Sequence, residues 1–201
     1  MATRDDVCAF ALAQRDLGAN PADPERRAAY LALIAPRESP SRADGMGSMS
    51  GCELLQRAML RRFINHPLLN ALYVTQRAGA DLLAIAFEAH AATPGLTRLP
   101  DPGDILIVGG GDDGGGPEHA WMLLDRIADP YADDHDTTAF LATGLDGGQR
   151  DAGDFQVVRV LDHAVAHGED HALKASDPGG GLRRKVRWVL NVETIIAKFG
   201  R

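Results

Sequence analysis

The chain changes its hydrophobic period part-way along its length, and this change constrains the fold more than any other feature. In the first half, apolar side chains recur at helical spacing, as Leu55, Met59 and Phe63 do. In the second half, apolar residues fall in short runs between Gly- and Pro-rich stretches, such as ILIVG (105–109) and FQVVRVLDH (155–163). Helices followed by a series of strands are typical of the α+β class. The pattern therefore predicts N-terminal helices packed on a C-terminal antiparallel sheet.

The same patterns predict the individual elements of a single domain that spans residues 1–201. We expect helices near residues 7–17, 24–35, 52–63, 74–92 and 192–199, and strands near residues 105–109, 119–127, 137–145, 155–163 and 185–192. Pro24 suits the start of the second helix and Pro36 its end. Residues 37–51 are rich in Ser, Gly and Pro and are predicted to form a loop.

Composition and charge narrow the class of partner. The chain has 45% hydrophobic and 24% charged residues, as globular proteins do, and its net charge of −7 argues against nucleic acid or anionic membrane. No apolar run approaches the ~20 residues that cross a bilayer. The N-terminus lacks the apolar core of a signal peptide. We expect a cytoplasmic protein, or one exported by a non-classical route as a secretion-system effector or phage-type lysis protein.

Cys52 follows a glycine at the point where an apolar helical pattern begins, in SMSGCELLQRAML (48–60). Ser48 or Ser50 is a candidate cap for this helix. A thiol in the first helical turn lies close to free backbone N–H groups and to the positive end of the helix dipole, which stabilise a thiolate. The same N–H groups could stabilise the oxyanion that forms during attack on a carbonyl carbon. Cys52 is therefore a candidate nucleophile. The alternative is a buried cysteine that packs under the sheet.

Two further residues are candidates for completing a catalytic site with this cysteine. His119 opens the predicted strand HAWMLLDRI (119–127) after a Gly-rich loop, and suits a general base. Asp146 ends the next predicted strand and could orient the imidazole. Gln149 and Ser50 are candidates for a polar orienter or for an oxyanion or substrate contact. Each residue also has a structural alternative: His119 as a surface histidine, Asp146 as a turn residue before two glycines.

As a set, these residues resemble the papain-like cell-wall cysteine hydrolases, namely the NlpC-type peptidases and the CHAP amidases (cysteine-, histidine-dependent amidohydrolase/peptidase). The resemblance covers about residues 46–160. It consists of a cysteine at a helix start, then PGDILIVGGG (102–111), EHAWMLLD (118–125) and LDGG (145–148), in that chain order. Two positions depart from the family's pattern: Gly51 stands where a polar residue is usual, and Trp121 where glycine is common.

The resemblance implies a papain-like core over residues 46–201, preceded by a helical addition over residues 1–45. In that core Cys52 is the nucleophile, His119 the base and Asp146 the third residue, and Pro102-Gly103-Asp104 is the turn that introduces a strand. The implied function is a cysteine peptidase or amidase that cleaves an amide or peptide bond of bacterial peptidoglycan through an acyl-enzyme, without a cofactor.

Two other functions stay open on the sequence. One is a papain-like effector or toxin that acts on protein substrates as a deamidase or acyltransferase. The other is a catalytically silent binding domain, in which Cys52, His119 and Asp146 would not meet. The sequence does not indicate an oligomeric state.

Three stretches carry residue types that bind ions or phosphate, and we expect no ligand site at any of them. HAVAHGEDH (163–171) places His163, His167 and His171 four residues apart, but Gly168 and the β-like run before it indicate a solvated loop or turn rather than a metal-binding helix. DPYADDHD (129–136) lacks the pattern of a calcium loop. GGGDDGGG (109–116) lacks the lysine of a P-loop.

Overall fold

The computed structural model describes residues 2–36, 51–70, 80–95, 99–110, 116–128, 139–150, 155–167, 173–176 and 182–201. Within these ranges the chain forms five α-helices and seven β-strands. The helices are α1 (Arg4–Leu12), α2 (Pro24–Ile34), α3 (Gly51–Phe63), α4 (Ala80–Glu88) and α5 (Val192–Phe199). The strands are β1 (Ala92–Pro94), β2 (Ile105–Gly110), β3 (Gly116–Ala128), β4 (Phe140–Arg150), β5 (Gln156–His167), β6 (Leu173–Ser176) and β7 (Leu182–Leu190). All strand pairs are antiparallel, which confirms the predicted α+β class.

Three helices begin where the local sequence supplies a capping side chain. At α1, Thr3 and Asp6 form a capping box, in which each side chain accepts the backbone N–H of the other residue. Before α2 and α5, the side chains of Asp23 and Asn191 each accept the N–H of the third residue that follows. These bonds satisfy N–H groups that have no partner within the helix.

The sheet closes on itself. Its strand order is β1-β7-β2-β3-β4-β5-β6, and β6 also pairs with β7. One edge of β7 contacts β2, and its other edge contacts β6 along the first half and β1 along the second half. Strands β2–β7 therefore form a six-stranded barrel, and alternate residues point into it and out of it.

The two faces of the barrel belong to two separate hydrophobic clusters. The outer face packs against the helices and contributes Ile105, Ile107, Ala120, Met122 and Leu145 to their core. The inner face forms a second cluster without helical residues, made of Leu106, Val108, Trp121, Leu123, Phe140, Ala142, Val165, Ala175, Val186 and Val189. The barrel interior is thus largely apolar, so a polar side chain that points into it needs a hydrogen-bond partner.

Several sequence predictions need correction. The solvated loop or turn predicted for 163–171 is wrong for 163–167, because β5 continues to His167 and the side chain of His163 is buried. Strands β1 and β6 are too short to show a period and were not predicted. The helix predicted for 74–92 is described only from Ala80 onward and ends at Glu88, and the chain enters β1 at Ala92. The predicted loop at 37–50, the acidic stretch 129–136 and most of GGGDDGGG (109–116) lie outside the described residues.

The turn Pro102-Gly103-Asp104 anchors the first helix to the barrel. Gly103 has a φ of +91°, which glycine adopts without strain. Asp104 is fully buried, and its Oδ1 accepts the Nη1–H of Arg4 at 2.7 Å and the backbone N–H of Val192 at 3.2 Å. One carboxylate therefore joins α1, the start of β2 and the start of α5.

Replacing Arg4 with alanine is expected to lower the free energy of unfolding by about 3 kcal/mol, because a buried carboxylate then loses its cation. Urea unfolding measures this loss. The matched control is Arg15→Ala, since Arg15 pairs with Asp16 but both side chains are largely exposed. That control is expected to cost under about 1 kcal/mol. Equal losses in the two variants would contradict the anchoring role of Asp104.

Candidate active site

Cys52 lies in the first turn of α3 and is buried, with 2% of its surface exposed. The helix packs against β3 and β4. One turn after the cysteine, the buried Gln56 donates its Nε2–H to the carbonyl oxygen of Leu145 at 3.0 Å. This bond fixes the start of α3 against the strand that carries the neighbouring residue, Asp146.

His119 and Asp146 are brought together by the pairing of β3 with β4, in which Trp121 stands opposite Asp146. His119 lies two residues before Trp121, so both side chains are on the inner face of the barrel. The Nε2 atom of His119 is hydrogen-bonded to Oδ1 of Asp146, whose side chain is completely buried. His119 itself remains 16% exposed.

The imidazole of His119 also hydrogen-bonds to Cys52. The three residues singled out in the sequence therefore meet, in the order cysteine, histidine, aspartate. An ionised carboxylate can only accept hydrogen bonds, so His119 donates its Nε2–H to Asp146. This leaves Nδ1 as the ring nitrogen available to the thiol.

The electrostatics of this group favour the charged forms of His119 and Asp146. Burial opposes the imidazolium form of His119, but the hydrogen bonds and negative charges of Asp146 and Cys52 outweigh burial and raise its pKa to about 9. Burial likewise opposes ionisation of Asp146, but the hydrogen bonds from His119 and His163 hold its pKa below the usual value. Asp146 is therefore a carboxylate at neutral pH.

His163 is a residue of this site that the sequence did not reveal. Its Nε2 atom lies 2.8 Å from Oδ2 of Asp146, the oxygen that His119 does not use. Its ring stacks on Trp121, with 4.4 Å between ring centroids and 12° between planes. The signal available in the sequence was weak: His163 and Val165 continue the two-residue alternation of β5, which places the histidine on the inner face.

Tyr30, from the predicted N-terminal addition, is a second residue missed at sequence level. It is buried in α2, and burial together with the charge of Cys52 raises the pKa of its hydroxyl to about 12. The N-terminal helices therefore reach the surroundings of the thiol. Tyr30 and Ile34 of α2 also belong to the same hydrophobic core as α3.

The remaining site predictions fall where the side chains are not described. Gln149 lies in β4 and its backbone pairs with Val157, but its side chain is outside the described set. Ser50, like the alternative cap Ser48, is outside the described residues. The proposed contacts of Gln149 and Ser50 therefore stay predictions.

The second cysteine, Cys8 in α1, has different surroundings. It is partly exposed, whereas Cys52 is buried, and neither cysteine forms a disulfide. Burial and the negative charge of Asp5 raise the pKa of its thiol to about 11. At neutral pH Cys8 is therefore almost entirely a neutral thiol.

Within the described parts of the chain, no group of three or more His, Cys, Asp or Glu side chains has the arrangement of a metal site. No helix among them is long and apolar enough to span a membrane. Comparisons with protein-family models, with curated proteins and with solved structures gave no match to this chain. Inferences about its activity therefore rest on the geometry of the site and on the order of its motifs.

Proposed function

We propose that this protein is a cysteine hydrolase of amide or peptide bonds, with Cys52 as nucleophile, His119 as general base and Asp146 as the group that orients His119. One observation carries the proposal: His119 is hydrogen-bonded to a buried carboxylate through one ring nitrogen and to a thiol at a helix N-terminus. This is the arrangement that nucleophilic catalysis by cysteine needs.

The proposed reaction begins with transfer of the thiol proton from Sγ of Cys52 to Nδ1 of His119. The thiolate then attacks the carbonyl carbon of the substrate, and the backbone N–H groups of the first turn of α3 face the developing oxyanion. When the C–N bond breaks, His119 returns its proton to the leaving amine, and a thioester remains on Cys52. A water molecule that gives its proton to His119 then attacks the thioester and releases a carboxylic acid and the free thiol.

The elevated pKa of His119 supports the first step. An imidazole with a pKa of about 9 accepts a proton readily at neutral pH, provided that a negative charge lies beside it. The thiolate of Cys52 and the carboxylate of Asp146 supply that charge from opposite sides of the ring. The resulting ion pair is the reactive form of a nucleophilic cysteine.

For the substrate class, we propose the peptide or amide bonds of bacterial peptidoglycan, on the basis of the order of the motifs. Deamidation of a protein glutamine or acyl transfer would use the same thioester with a different substrate or acceptor. The products distinguish these reactions. Since Cys52 is 2% exposed and His119 16% exposed, we expect a substrate to approach from the side of His119.

Alkylation by iodoacetamide at neutral pH is expected to modify Cys52 at least about ten times faster than Cys8, because the rate follows the thiolate fraction. Accessibility alone predicts the opposite order, since Cys8 is the more exposed thiol. Peptide mass mapping of a time course gives both rates in one sample.

The matched control for the alkylation experiment is His119→Gln, which retains both thiols but removes the base. Its Cys52 is expected to react at least about ten times more slowly than that of the wild type, with no change at Cys8. Equal slow labelling of both cysteines in the wild type would rule out the proposed nucleophile and favour a catalytically silent domain.

A further inference from the structure

The buried carboxylate of Asp146 has two donors, and the proposed mechanism uses only one of them. His119 occupies Oδ1, and His163 reaches Oδ2 from the neighbouring strand β5. Because an ionised carboxylate has no proton to give, both histidines donate Nε2–H. Asp146 is thus held between two imidazoles inside a largely apolar barrel.

The ring of His163 is packed tightly inside the barrel against residues of β3 and β4. The side chain of His163 is 2% exposed, and Trp121 covers one face of the ring. Gly144, two residues before Asp146 on β4, provides the room for this stack. A Cβ atom at residue 144 would lie 2.7 Å from Cε3 of Trp121 and 3.1 Å from Cδ2 of His163. The indole of Trp121 on β3 therefore occupies space that is free because Gly144 on β4 has no side chain.

A histidine at this inward position costs free energy unless its polar atoms are hydrogen-bonded, whereas an apolar side chain would fill the same space without that cost. The hydrogen bond from Nε2 of His163 to Oδ2 of Asp146 offsets this cost. Without that donor, one oxygen of Asp146 would be unsolvated in the barrel interior, and burial would favour the protonated acid. A protonated Asp146 could donate to His119 and thereby place the His119 proton on Nδ1, where it would block proton transfer from Cys52.

We propose that His163 is a positioning residue of the candidate site: its Nε2–H holds the second oxygen of Asp146, keeps that carboxylate ionised and directed at His119, and so maintains the Cys52 thiolate at neutral pH. This inference rests on the proposed function for its last step. No proton leaves His163 in this scheme, since every proton transfer of the proposed reaction involves His119.

The titratable groups that act on His119 are Asp146 from β4 and Cys52 from α3, and those that act on Asp146 are His119 from β3 and His163 from β5. Besides His119, the hydroxyl of Tyr30 from α2 interacts with Cys52. A change at His163 therefore reaches Cys52 through Asp146 and His119. The pH titration of the Cys52 thiol therefore measures the effect of a change at His163. A purely structural role of His163 would change stability without moving that titration.

The test uses the full chain with Cys8→Ser, so that Cys52 is the one thiol. The ultraviolet absorbance of the thiolate is measured against pH for the parent and for two variants. His163→Leu removes the donor, and His163→Gln retains an N–H at a similar reach. We expect the leucine variant to show about a tenfold lower thiolate fraction below the titration midpoint, which is a midpoint about one pH unit higher. The glutamine variant should restore most of the parental fraction.

The matched control is His66→Leu. His66 is also buried, and its Nε2 lies 3.2 Å from a carboxylate oxygen of Glu88, but it follows the far end of α3 from Cys52. We expect this variant to lose stability and to keep the parental thiol titration. If His66→Leu shifts the midpoint as far as His163→Leu does, the shift reflects general loosening of the fold and the positioning role is overturned.

A second measurement on the unmutated chain keeps the inference testable if His163→Leu does not fold. Nitrogen NMR of ¹⁵N-labelled histidine shows which ring nitrogen of His163 carries the proton. We expect a protonated Nε2 that persists across the pH range in which Cys52 titrates. An unprotonated Nε2 would overturn the proposal.

The thiol titration and the NMR measurement distinguish the positioning role of His163 from the proposed nucleophilic role of Cys52. A parent with an ordinary thiol midpoint would contradict the proposed nucleophile and, with it, the last step of this inference, while the NMR result would still decide the contact with Asp146. A parent with a low midpoint that His163→Leu leaves unchanged would overturn the positioning role alone.

Discussion

Replacing Cys52 with alanine is expected to remove hydrolysis almost completely, with a fall of about 10⁴-fold or more in turnover. The reason is that the thiolate of Cys52 forms the covalent bond to the substrate in the proposed reaction. The measurement is mass analysis of a peptidoglycan digest, in which the wild type should release new fragments and Cys52→Ala should not.

The control for this loss is Cys8→Ala, which removes the other thiol of the chain and is expected to keep the full rate. If the wild type produces no new peptidoglycan fragments but its Cys52 is alkylated rapidly, the substrate class is wrong and the nucleophile stands. Protein substrates would then be tested for deamidation of glutamine. Undiminished release of fragments by Cys52→Ala would contradict the mechanism itself.

Replacing Asp146 with asparagine is expected to lower turnover on the order of 10³- to 10⁴-fold while the fold is retained. The amide of the asparagine can donate a hydrogen bond to Nε2 of His119, which then carries its proton on Nδ1 and cannot accept the proton of Cys52. Turnover is measured at saturating substrate, so that a change in binding does not enter. A control is Asp104→Asn, which alters an equally buried carboxylate that binds Arg4, and which should reduce stability but not turnover.

The same variant is expected to change how stability depends on pH. In the wild type the pKa of His119 rises from 6.5 in the unfolded chain to about 9 in the folded one, against the opposing effect of burial. A raised folded pKa means that the stabilisation is complete below about pH 6.5 and is lost as the pH rises through about 9. Asp146→Asn should remove most of this contribution, about 2–3 kcal/mol. Urea unfolding at several pH values measures it.

The difference in unfolding free energy between wild type and Asp146→Asn should therefore narrow as the pH is raised from about 6.5 towards 9 and above. A difference that stays constant over this range would show that Asp146 stabilises the fold through packing alone and does not bind the imidazolium of His119.

Local features of the sequence were sufficient to predict much of the scaffold. The start of α3 at Gly51-Cys52 follows from the apolar period that begins there, and Pro24 marks the start of α2. Such signals act over one or two helical turns, so they can be read from neighbouring residues. The order of helices and strands, and therefore the α+β class, could be predicted because it too depends on local hydrophobic periods.

The short strands and the closure of the barrel could not be predicted in this way. β1 and β6 have three and four residues, too few to show an alternation. β6 exists as a strand because β5 and β7 offer it backbone partners on both sides. That pairing depends on residues far away in the sequence, and closing the barrel is what separates an interior from the face that packs on the helices.

The candidate site likewise has a part that local sequence signals predict and a part that depends on contacts between distant elements. The sequence by itself determined that Cys52 would stand in the first turn of a helix and that His119 and Asp146 would lie on successive strands, because each placement depends on a local period. Only the tertiary structure decided that the three side chains meet, that Tyr30 reaches the surroundings of the thiol, and that His163 shares the carboxylate of Asp146. The physical reason is that a buried polar group is defined by its partner, and here every partner comes from a distant element whose position is set by barrel closure and by packing of the helices on its outer face.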